Sequence, residues 1–530
     1  MSSALPRAVL LLVTLLAACQ PTVDVVFVPV TLTLSTTPLA VWEHAGLVEI
    51  PLQLSAGPNQ VVTARYELVP RSAQDTCLEP DFSGGSGKLS WLPGEQITHI
   101  PVRILDDLLA ETDETFRVVL SEVTGAVVDG SAELTMSILD DDRTALLDAE
   151  ADYGCLPNTG TDQSSALQAA LLAAAESGRG VVRVAPGDYE LSHVTVPAGT
   201  SLSGFGATFR RPAFAGSATV TLSLAHAGRQ DSPHTLLEGF RIDGRRDEQG
   251  EFLDDSQENA HLIHAFADPS TPGRLRVTLE SLTLESGVGD GVAFGPNVDG
   301  ALCRTSSYDL WREAVSVSGG NSRLRSTGLV ADASFGTTGV RFSARDPGYG
   351  PSSALQVELQ DVLLATGDIE LDLGADSEVV IRDLTMGRGA FTVSAPDSSV
   401  RISDSLLMLG IPSERHNHFR VPHDVTITDS TLLLSEQLDE QPTTEEAERT
   451  LWFADVAFRA TPRAKLEPGD HQLLFDRCQF GLAADVEAND DVFVVRSPAD
   501  GGSVVVRGGQ LGSGIRDWLA PACVGCVIEP

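Results

Sequence analysis

The chain contains very little lysine. Of its 530 residues only Lys88 and Lys465 are lysines, so arginine carries nearly all the positive charge, and the formal net charge is −38 at pH 7. A surface this acidic repels phosphate backbones, which argues against nucleic-acid partners. The same charge favours divalent cations as partners, or a solvated extracellular environment.

Aromatic residues are also scarce. They make up 5% of the chain, whereas hydrophobic residues of all kinds make up 42%. Because Gly, Val, Leu, Ser and Thr are abundant, this composition favours long β structure over helix bundles. A length of 530 residues predicts two or more domains.

No apolar run of membrane-spanning length follows the first twenty residues. The N-terminus, MSSALPRAVLLLVTLLAACQ, has a basic Arg7, an apolar run and small residues before Cys19. The run is too short for a mature transmembrane helix and is typical of a processed export signal. Its LLAAC ending resembles the bacterial lipobox, which implies that residues 1–19 form the signal and that Cys19 is lipidated. We therefore expect an exported protein, lipid-anchored at the outer membrane or cell surface; the alternative is an ordinary signal with an incidental cysteine.

Between residues 22 and 142 the sequence alternates apolar and polar residues in short runs. Examples are VTLTLS, LVEIPLQL, THIPVRIL and TFRVVLSEV, and turn residues such as the Pro-Gly pair of LPGEQ separate them. About seven such runs predict an antiparallel β-sandwich.

Carboxylates crowd the ends of these predicted strands. They are densest in RILDDLLAETDETF and in the closing ILDDD. Like charges this close repel one another unless a cation neutralises them. Calcium takes roughly six to eight oxygen ligands in flexible geometry, which loop-borne carboxylates from several strands can supply. The alternative is a solvated acidic end of the domain.

This first region resembles the Calx-β family, which occurs in sodium–calcium exchangers and in many bacterial surface proteins. The resemblance rests on WEHAG, PDF, WLPGEQ, RILDD, DETF and ILDDD, which occur in family order. In calcium-binding members such carboxylates gather at one end of the sandwich. The resemblance therefore implies calcium as the cofactor, with these ligands: Glu43, Asp81, Asp106, Asp107, Glu111, Glu114, Asp140, Asp141 and Asp142.

After a predicted acidic linker at 143–150 the sequence changes character. An Ala- and Leu-rich stretch predicts a helix from about Ser164 to Glu176, which SGRG ends. Units such as RVTLESLTL, QVELQDVLL and VTITDSTLL then recur, at about 21 to 25 residues where no insertion intervenes, and this interval is typical of one β-solenoid coil. Residues 151–530 are thus predicted to form stacked parallel coils, with the helix capping the first.

The start of this second region resembles the pectate-lyase-3 type of right-handed β-helix proteins, which include phage tailspikes and polysaccharide lyases. The matching residues are Tyr153-Gly154, Thr161-Asp162, Ala166 and the run from Pro186 to Tyr189. The predicted fold class is therefore all-β: a Calx-β immunoglobulin-like sandwich followed by a right-handed parallel β-helix (solenoid) with a short N-terminal capping helix. The resemblance implies polysaccharide as the partner.

The sequence leaves open whether the β-helix is catalytic. Insertions at 243–266 and 344–353 interrupt the coils, and the candidate residues lie in or between them: Asp243, Arg245, Asp290 and Arg312. A hydrolase needs two carboxyl groups, and a lyase needs a base with a cation for the uronate charge; an epimerase would use similar groups. Asn-Thr-Asp, Gly-His-Gly and Asp-Pro-His-Glu motifs do not occur, and each Asp has an alternative role as a corner residue of a coil.

These observations predict a surface-anchored calcium-binding lipoprotein whose β-helix binds extracellular or cell-surface polysaccharide. The alternative is a polysaccharide lyase, a glycoside hydrolase or a C5-epimerase.

Overall fold

The computed structural model describes the chain from residue 30 to residue 528 with gaps. The described ranges are 30–34, 39–73, 80–107, 109–212, 220–223, 234–248, 260–267, 274–319, 321–332, 338–343, 354–389, 391–394, 398–409, 419–420, 425–434, 437–438, 450–454, 457–460, 464–466, 472–476, 478–482, 493–495, 503–507, 510–511, 523–524 and 527–528. The leader with Cys19, the insertion 344–353 and part of the insertion 243–266 lie outside them. No helix within these ranges has the length and hydropathy needed to cross a membrane.

The first domain is a sandwich of two five-stranded sheets. One sheet comprises β1 (Thr31–Thr33), β3 (Leu47–Leu54), β5 (Phe82–Ser83), β7 (Ile97–Ile104) and β9 (Val127–Val128), in the order β5-β7-β3-β1-β9. The other comprises β2 (Leu39–Trp42), β4 (Val62–Pro70), β6 (Ser86–Trp91), β8 (Glu114–Thr124) and β10 (Glu133–Leu139), in the order β2-β10-β8-β4-β6. Pairing is antiparallel except for β1 with β9 and β2 with β10.

Alternation of apolar and polar residues creates the core of this sandwich. In β3, Ile50, Leu52 and Leu54 are buried while the residues between them are exposed. Successive side chains of a strand point to opposite faces, so this period of two buries one face against the other sheet. Phe82 and Phe116 stack across the interior with ring centroids 4.3 Å apart.

The second domain is a parallel β-helix made of three ladders of strands and one short additional sheet. The first ladder contains β11 (Ala145–Asp148), β12 (Gly180–Arg183), β15 (Ser201–Ser203), β18 (His234–Glu238), β21 (Leu275–Glu280), β24 (Val298–Cys303), β27 (Arg323–Thr327), β30 (Gln356–Thr366), β32 (Glu378–Gly389), β34 (Ser399–Ser403), β37 (Val425–Thr428), β40 (Thr450–Ala454), β43 (Gln472–Asp476), β46 (Ser503–Arg507) and β48 (Cys523–Val524).

The second ladder shares the C-terminal halves of β30 and β32 with the first. Its other strands are β13 (Gly187–Glu190), β16 (Ala207–Arg210), β19 (Arg241–Asp243), β22 (Thr283–Glu285), β25 (Ser306–Tyr308), β28 (Val330–Asp332), β35 (Leu406–Leu409), β38 (Thr431–Leu434), β41 (Ala457–Ala460), β44 (Gln479–Leu482), β47 (Gln510–Leu511) and β49 (Val527–Ile528).

The third ladder lies in a separate sheet of nine strands. It contains β14 (Val194–Pro197), β17 (Val220–Ser223), β20 (Ile263–Phe266), β23 (Val292–Phe294), β26 (Val315–Ser318), β29 (Thr338–Ser343), β31 (Asp368–Asp372), β33 (Phe391–Ser394) and β36 (Phe419–Arg420). The short sheet contains β39 (Gln437–Leu438), β42 (Ala464–Leu466) and β45 (Phe493–Val495). The parallel ladders confirm the predicted β-helix.

The repeat interval follows directly from the strand register. Leu279 of β21 is paired with Leu302 of β24, and Ile381 of β32 is paired with Ile402 of β34. Leu302 is in turn paired with Ser326 of β27, so an uninterrupted coil takes 21 to 24 residues. Stacked apolar residues of successive coils form one continuous core, which no single coil could bury alone.

Residues in the left-handed conformation turn the chain from the first ladder to the second. They include Ser281 (φ 52°), Arg304 (47°), Asp361 (52°), Asp383 (53°), Asp404 (52°) and Asp429 (50°). Among residues with a side chain, Asp and Asn tolerate this conformation well because their short polar groups bond locally. The corner geometry explains why Asp recurs just past the predicted strands.

Two helices open the β-helix, α1 (Ala149–Tyr153) and α2 (Ser164–Ser177). The bounds of α2 agree with the predicted helix, and it buries Leu167, Leu171 and Ala174 against the first coil. A Cβ atom at Gly180 would lie 2.5 Å from the carbonyl oxygen of Ala174, so glycine is what allows β12 to pass this close to the helix.

The segment 143–150, which was expected to be a linker, instead begins the β-helix. It contains β11, whose residues Ala145 and Leu147 pair in parallel with Gly180 and Val182 of β12. The reason is that the first coil leaves an open strand edge, which β11 covers by pairing with it. Only residues 140–144 connect the sandwich to the solenoid, so the acidic end of the sandwich lies at the domain junction.

Candidate functional site

Three acidic side chains converge at the end of the sandwich next to the β-helix. Asp81 precedes β5, Glu111 lies in the loop between β7 and β8, and Glu114 is the first residue of β8. Oxygen atoms of the three carboxylates all lie within 4.8 Å of one another. All three residues are buried. These three were among the predicted calcium ligands, and the fold brings them together from separate parts of the chain.

Burial and mutual repulsion make these carboxylates hard to ionise. Burial is the main cause that raises the pKa of Glu111 and Glu114 well above the usual range, and the charge of the neighbouring acids adds to it. Oε2 of Glu114 is buried and has no hydrogen-bond partner. A buried carboxylate oxygen that has lost its hydrating water and gained no hydrogen bond costs the folded state free energy.

The remaining predicted ligands surround this cluster with different degrees of burial. Glu43 is buried, and burial followed by the charge of Asp107 raises its pKa to about 8. The backbone N–H of Asp107 donates to Oε1 of Glu43 at 3.2 Å. Asp106 is exposed, and Asp141 forms an ion pair with His44 at 2.8 Å.

Arginines already neutralise part of the closing acidic triplet. Arg143 lies 3.5 Å from Asp140, and Arg179 of the β-helix forms an ion pair with Asp142. Burial nevertheless raises the pKa of both Asp140 and Asp142. The triplet thus combines metal-ligand chemistry with contacts that hold the domain junction.

The residues present fit a calcium ion. The donors are all carboxylate oxygens, they come from several loops, and Glu114 and Glu43 each contain a buried oxygen without a hydrogen-bond partner. Hard oxygen ligands on flexible loops suit calcium better than magnesium, which requires near-octahedral geometry. Asp81, Glu111 and Glu114 would hold the ion, and its charge would remove their mutual repulsion.

Two acidic residues of the β-helix face the same cluster and were missed at the level of sequence. Glu238 ends β18, and burial raises its pKa to about 7 while the charge of Asp81 adds to the shift. Glu280, its strand partner on the next coil, has its pKa raised to about 8 by burial although Arg304 lies 2.7 Å away. Glu238 and Glu280 each end a strand of the first ladder, on successive coils. A glutamate at the same position of two successive repeats is the signal in the sequence that could have identified them.

A second polar cluster lies where successive coils enter the third ladder. Nε of Arg312 lies 3.3 Å from Oδ1 of Asp290 and 3.1 Å from Oε2 of Glu313. The hydroxyl of Ser316 donates to Oδ2 of Asp290 at 2.5 Å. Nδ1 of His261 lies 3.3 Å from the same carboxylate. Asp290 and Arg312, both predicted, are therefore in direct contact; Glu313, Ser316 and His261 complete the cluster.

The two carboxyl groups of this cluster differ in protonation. Burial alone raises the pKa of Asp290, but its interactions with His261 and Glu313 and the charge of Arg312 outweigh burial and lower it. Burial, together with the hydrogen bond to Asp290 and its charge, raises the pKa of Glu313 to about 7. The pair thus holds one proton near neutral pH, on the Glu313 side.

The other two predicted catalytic residues belong to a different network. Asp243 accepts a hydrogen bond from the backbone N–H of Arg245 at 3.0 Å, and Arg245 has a left-handed backbone with φ of 44°. The guanidinium of Arg245 binds Glu190 at 2.6 Å. These contacts lie at a coil corner one coil before Asp290.

Two exposed aromatic residues lie on the coil corner that contains Arg312. Tyr308 is 38% exposed and Trp311 is 46% exposed, and both precede Arg312 on the same coil corner. Arg341, on the next coil, is 42% exposed and lies 3.8 Å from Glu313. Exposed aromatic rings and partly exposed guanidinium groups on adjacent coils suit a ligand with both apolar faces and negative charge.

An antiparallel sandwich that gathers acids at one end, joined directly to a parallel β-helix, defines a two-domain protein of the all-β class. The Calx-beta domain family model matches residues 28–142, which confirms the predicted resemblance for this domain. No curated protein sequence matches the chain.

Solved structures similar to this chain include both types of domain. The apo-form Calx CBD1 domain is 25% identical with a TM-score of 0.20, covering 22% of this chain and 99% of that domain. A family 28 exopolygalacturonase from Yersinia enterocolitica is 12% identical with a TM-score of 0.37, covering 86% of this chain and 96% of that one. The A-module of a mannuronan C-5 epimerase from Azotobacter vinelandii is 13% identical with a TM-score of 0.32, covering 72% and 99%.

Proposed function

We propose that this chain is an exported calcium-binding protein whose β-helix binds an acidic polysaccharide at a bacterial cell surface. The calcium part is supported by the buried carboxylates of Asp81, Glu111 and Glu114, whose cluster includes an oxygen without a hydrogen-bond partner. Folding these acids together without a cation costs stability, and bound calcium recovers it.

The polysaccharide part rests on the exposed aromatic and guanidinium groups beside Asp290. Tyr308 and Trp311 offer flat faces on which the C–H faces of sugar rings pack, and the more exposed Arg341 offers a planar donor that matches a carboxylate. Uronate-containing polysaccharides combine these two features. This juxtaposition is the single observation that carries the proposal.

The test is retention of acidic and neutral polysaccharides by the purified full chain. We expect binding of a uronate polymer, and the Trp311→Ala variant should bind it about tenfold more weakly, which corresponds to about 1.4 kcal/mol. Phe205→Ala is the matched control, because Phe205 is equally exposed, at 41%, on another corner of the solenoid. Equal affinities of the Trp311 variant and the parent would contradict the proposed surface.

Catalysis is the second candidate function, and the Asp290–Glu313 pair favours it. A carboxylate beside a carboxyl group that keeps its proton to about pH 7 is the arrangement used for general base and acid. Unsaturated uronates released from the polymer would identify a lyase, new reducing ends alone a hydrolase, and a changed uronate ratio in the intact polymer an epimerase. Any such activity should fall at least about 100-fold in Glu313→Gln. Binding without any of these products would leave the β-helix a binding domain.

Anchoring through Cys19 completes the proposal, since LLAAC resembles a lipobox. In a bacterial host the parent protein should partition into detergent with the membrane fraction, and Cys19→Ser should be released into the aqueous phase. A Cys19→Ser variant that partitions like the parent would contradict lipidation at this residue.

A further inference from the structure

The β-helix reaches into the acidic end of the sandwich. Thr112, which lies between Glu111 and Glu114 in the β7–β8 loop, donates its hydroxyl to Oε1 of Glu238 at 3.2 Å. Glu238 is only 2% exposed although it is charged in its ordinary state. A carboxylate of the second domain is therefore buried against the loop that carries two of the proposed calcium ligands.

The charges around this contact are of one sign. Glu280 is paired with Glu238 on the neighbouring strand. The charges of Glu238 and Glu280 both repel Asp81. They also both repel Glu114. Arg304 offsets one of these charges through its ion pair with Glu280 at 2.7 Å. Carboxylates from both domains thus share one buried region that requires further positive charge.

The cluster contains an unsatisfied ligand atom. Oε2 of Glu114 is buried without a hydrogen-bond partner, and the carboxylate of Glu114 belongs to the group of oxygens that lie within 4.8 Å of one another. A carboxylate has about four lone-pair sites, so Glu238 keeps acceptor capacity beyond its bonds from Ser203 and Thr112. Both residues therefore have oxygen lone pairs to offer a cation.

We propose that calcium at this site is bound jointly by the two domains, with Glu238 of the β-helix adding a ligand to Asp81, Glu111 and Glu114 of the sandwich. The inference rests on the calcium binding proposed above and extends it to the second domain. Calcium then fixes the sandwich on the solenoid, because removing the ion leaves repelling carboxylates on both sides of the junction.

Calcium titration of the full chain by calorimetry tests the shared site. Glu238→Gln should lower the calcium affinity at least about tenfold, because a neutral amide oxygen is a much weaker ligand than a carboxylate. Glu358→Gln is the matched control, since Glu358 belongs to the same ladder four coils farther along and pairs with Arg382 at 2.6 Å. Its calcium affinity should equal that of the parent.

Thermal unfolding in calcium-free buffer separates a ligand role from a merely structural one. If Glu238 is a ligand, Glu238→Gln removes one repelling charge and raises the melting temperature without calcium. If Glu238 only anchors Thr112, the same change weakens a charged hydrogen bond and lowers the melting temperature, which would overturn the proposal.

Hydrogen exchange locates the effect of the ion. We expect calcium to slow exchange in residues 105–114 of the sandwich and also in residues 234–239 and 275–281 of the β-helix. Protection confined to the sandwich, with unchanged affinity in Glu238→Gln, would overturn the joint site and leave calcium binding intact. The absence of both calcium heat and protection in the parent would contradict the proposed calcium function itself.

Discussion

The molecule buries two carboxylate clusters, and they differ in where their positive charge comes from. At the domain junction, Asp81, Glu111 and Glu114 repel one another. In the β-helix, Asp290 and Glu313 are just as buried, but Arg312 contacts both carboxyl groups.

This difference separates a cluster of mutually repelling acids from one in which an arginine contacts both acids. In the β-helix cluster, interactions with His261, Glu313 and Arg312 outweigh burial and lower the pKa of Asp290, whereas burial and the neighbouring Asp290 raise the pKa of Glu313. At the domain junction, where the acids face each other, the pKa values of Glu43, Glu111 and Glu114 all rise.

The largest effect should come from breaking the self-neutralised cluster. Asp290→Ala leaves Arg312 and His261 beside a gap, and removal of one partner of a buried ion pair costs about 3 to 5 kcal/mol of stability. Urea unfolding followed by circular dichroism measures this loss. Asp188→Ala is the control, because the ion pair of Asp188 with Arg210 is exposed and should contribute less than about 1 kcal/mol. Similar costs for the two variants would contradict the comparison.

Calcium should have the next largest effect, and it should act on the sandwich. At a free concentration about 100 times its dissociation constant, a ligand that binds only the folded state adds about 2.7 kcal/mol to the free energy of unfolding. Scanning calorimetry with and without calcium measures the shift, with magnesium as the control ion expected to shift it less. Unchanged unfolding in millimolar calcium would contradict the external-cation site.

The pH dependence of the calcium-free protein should be the reverse of ordinary acid denaturation. The pKa of Glu43 is raised from 4.5 to about 8 in the folded state, so between these values the folded protein binds more protons than the unfolded chain. Stability therefore falls as pH rises through this window, and the melting temperature at pH 5 should exceed that at pH 8 by about 5 °C. Saturating calcium should reverse the trend, because calcium binds ionised carboxylates. A calcium-free protein that is more stable at pH 8 would contradict this assignment.

The fold class and the convergence of Asp81, Glu111 and Glu114 could be predicted from the sequence because both depend on local patterns. The period-two runs of the sandwich and the coil-length repeat of the solenoid are visible within a few dozen residues, and their strand pairings confirm both. Asp81, Glu111 and Glu114 lie at the ends of predicted strands, so the sandwich topology alone brings them together.

The residues that sequence reasoning missed depend on contacts across long stretches of chain. Glu238 meets Thr112 across 126 residues, and only the direct joining of the domains brings them together. His261 and Ser316 reach Asp290 from neighbouring coils, across 29 and 26 residues, through the coil register. Insertions change the interval between repeats, so the pairing of residues on neighbouring coils cannot be read from the sequence. The same register explains why Asp243 and Asp290, similar in sequence context, lie in different networks.

The smallest of these effects should come from removing one repelling charge at the domain junction. Glu114→Gln keeps the shape of the side chain but lets its amide donate to the neighbouring carboxylates, so without calcium we expect stability to rise by about 1 kcal/mol. The same variant should respond less to calcium, because the ion loses a ligand.

Glu133→Gln is the control: Glu133 forms an exposed ion pair with Arg117 at 2.6 Å, and its loss should change stability by less than about 0.5 kcal/mol and leave the calcium response intact. Urea unfolding of both variants in calcium-free and calcium-saturated buffer decides the point. If Glu114→Gln is less stable than the parent without calcium, the cluster is held together by its carboxylates as the Asp290 cluster is, and the distinction between the two regions fails.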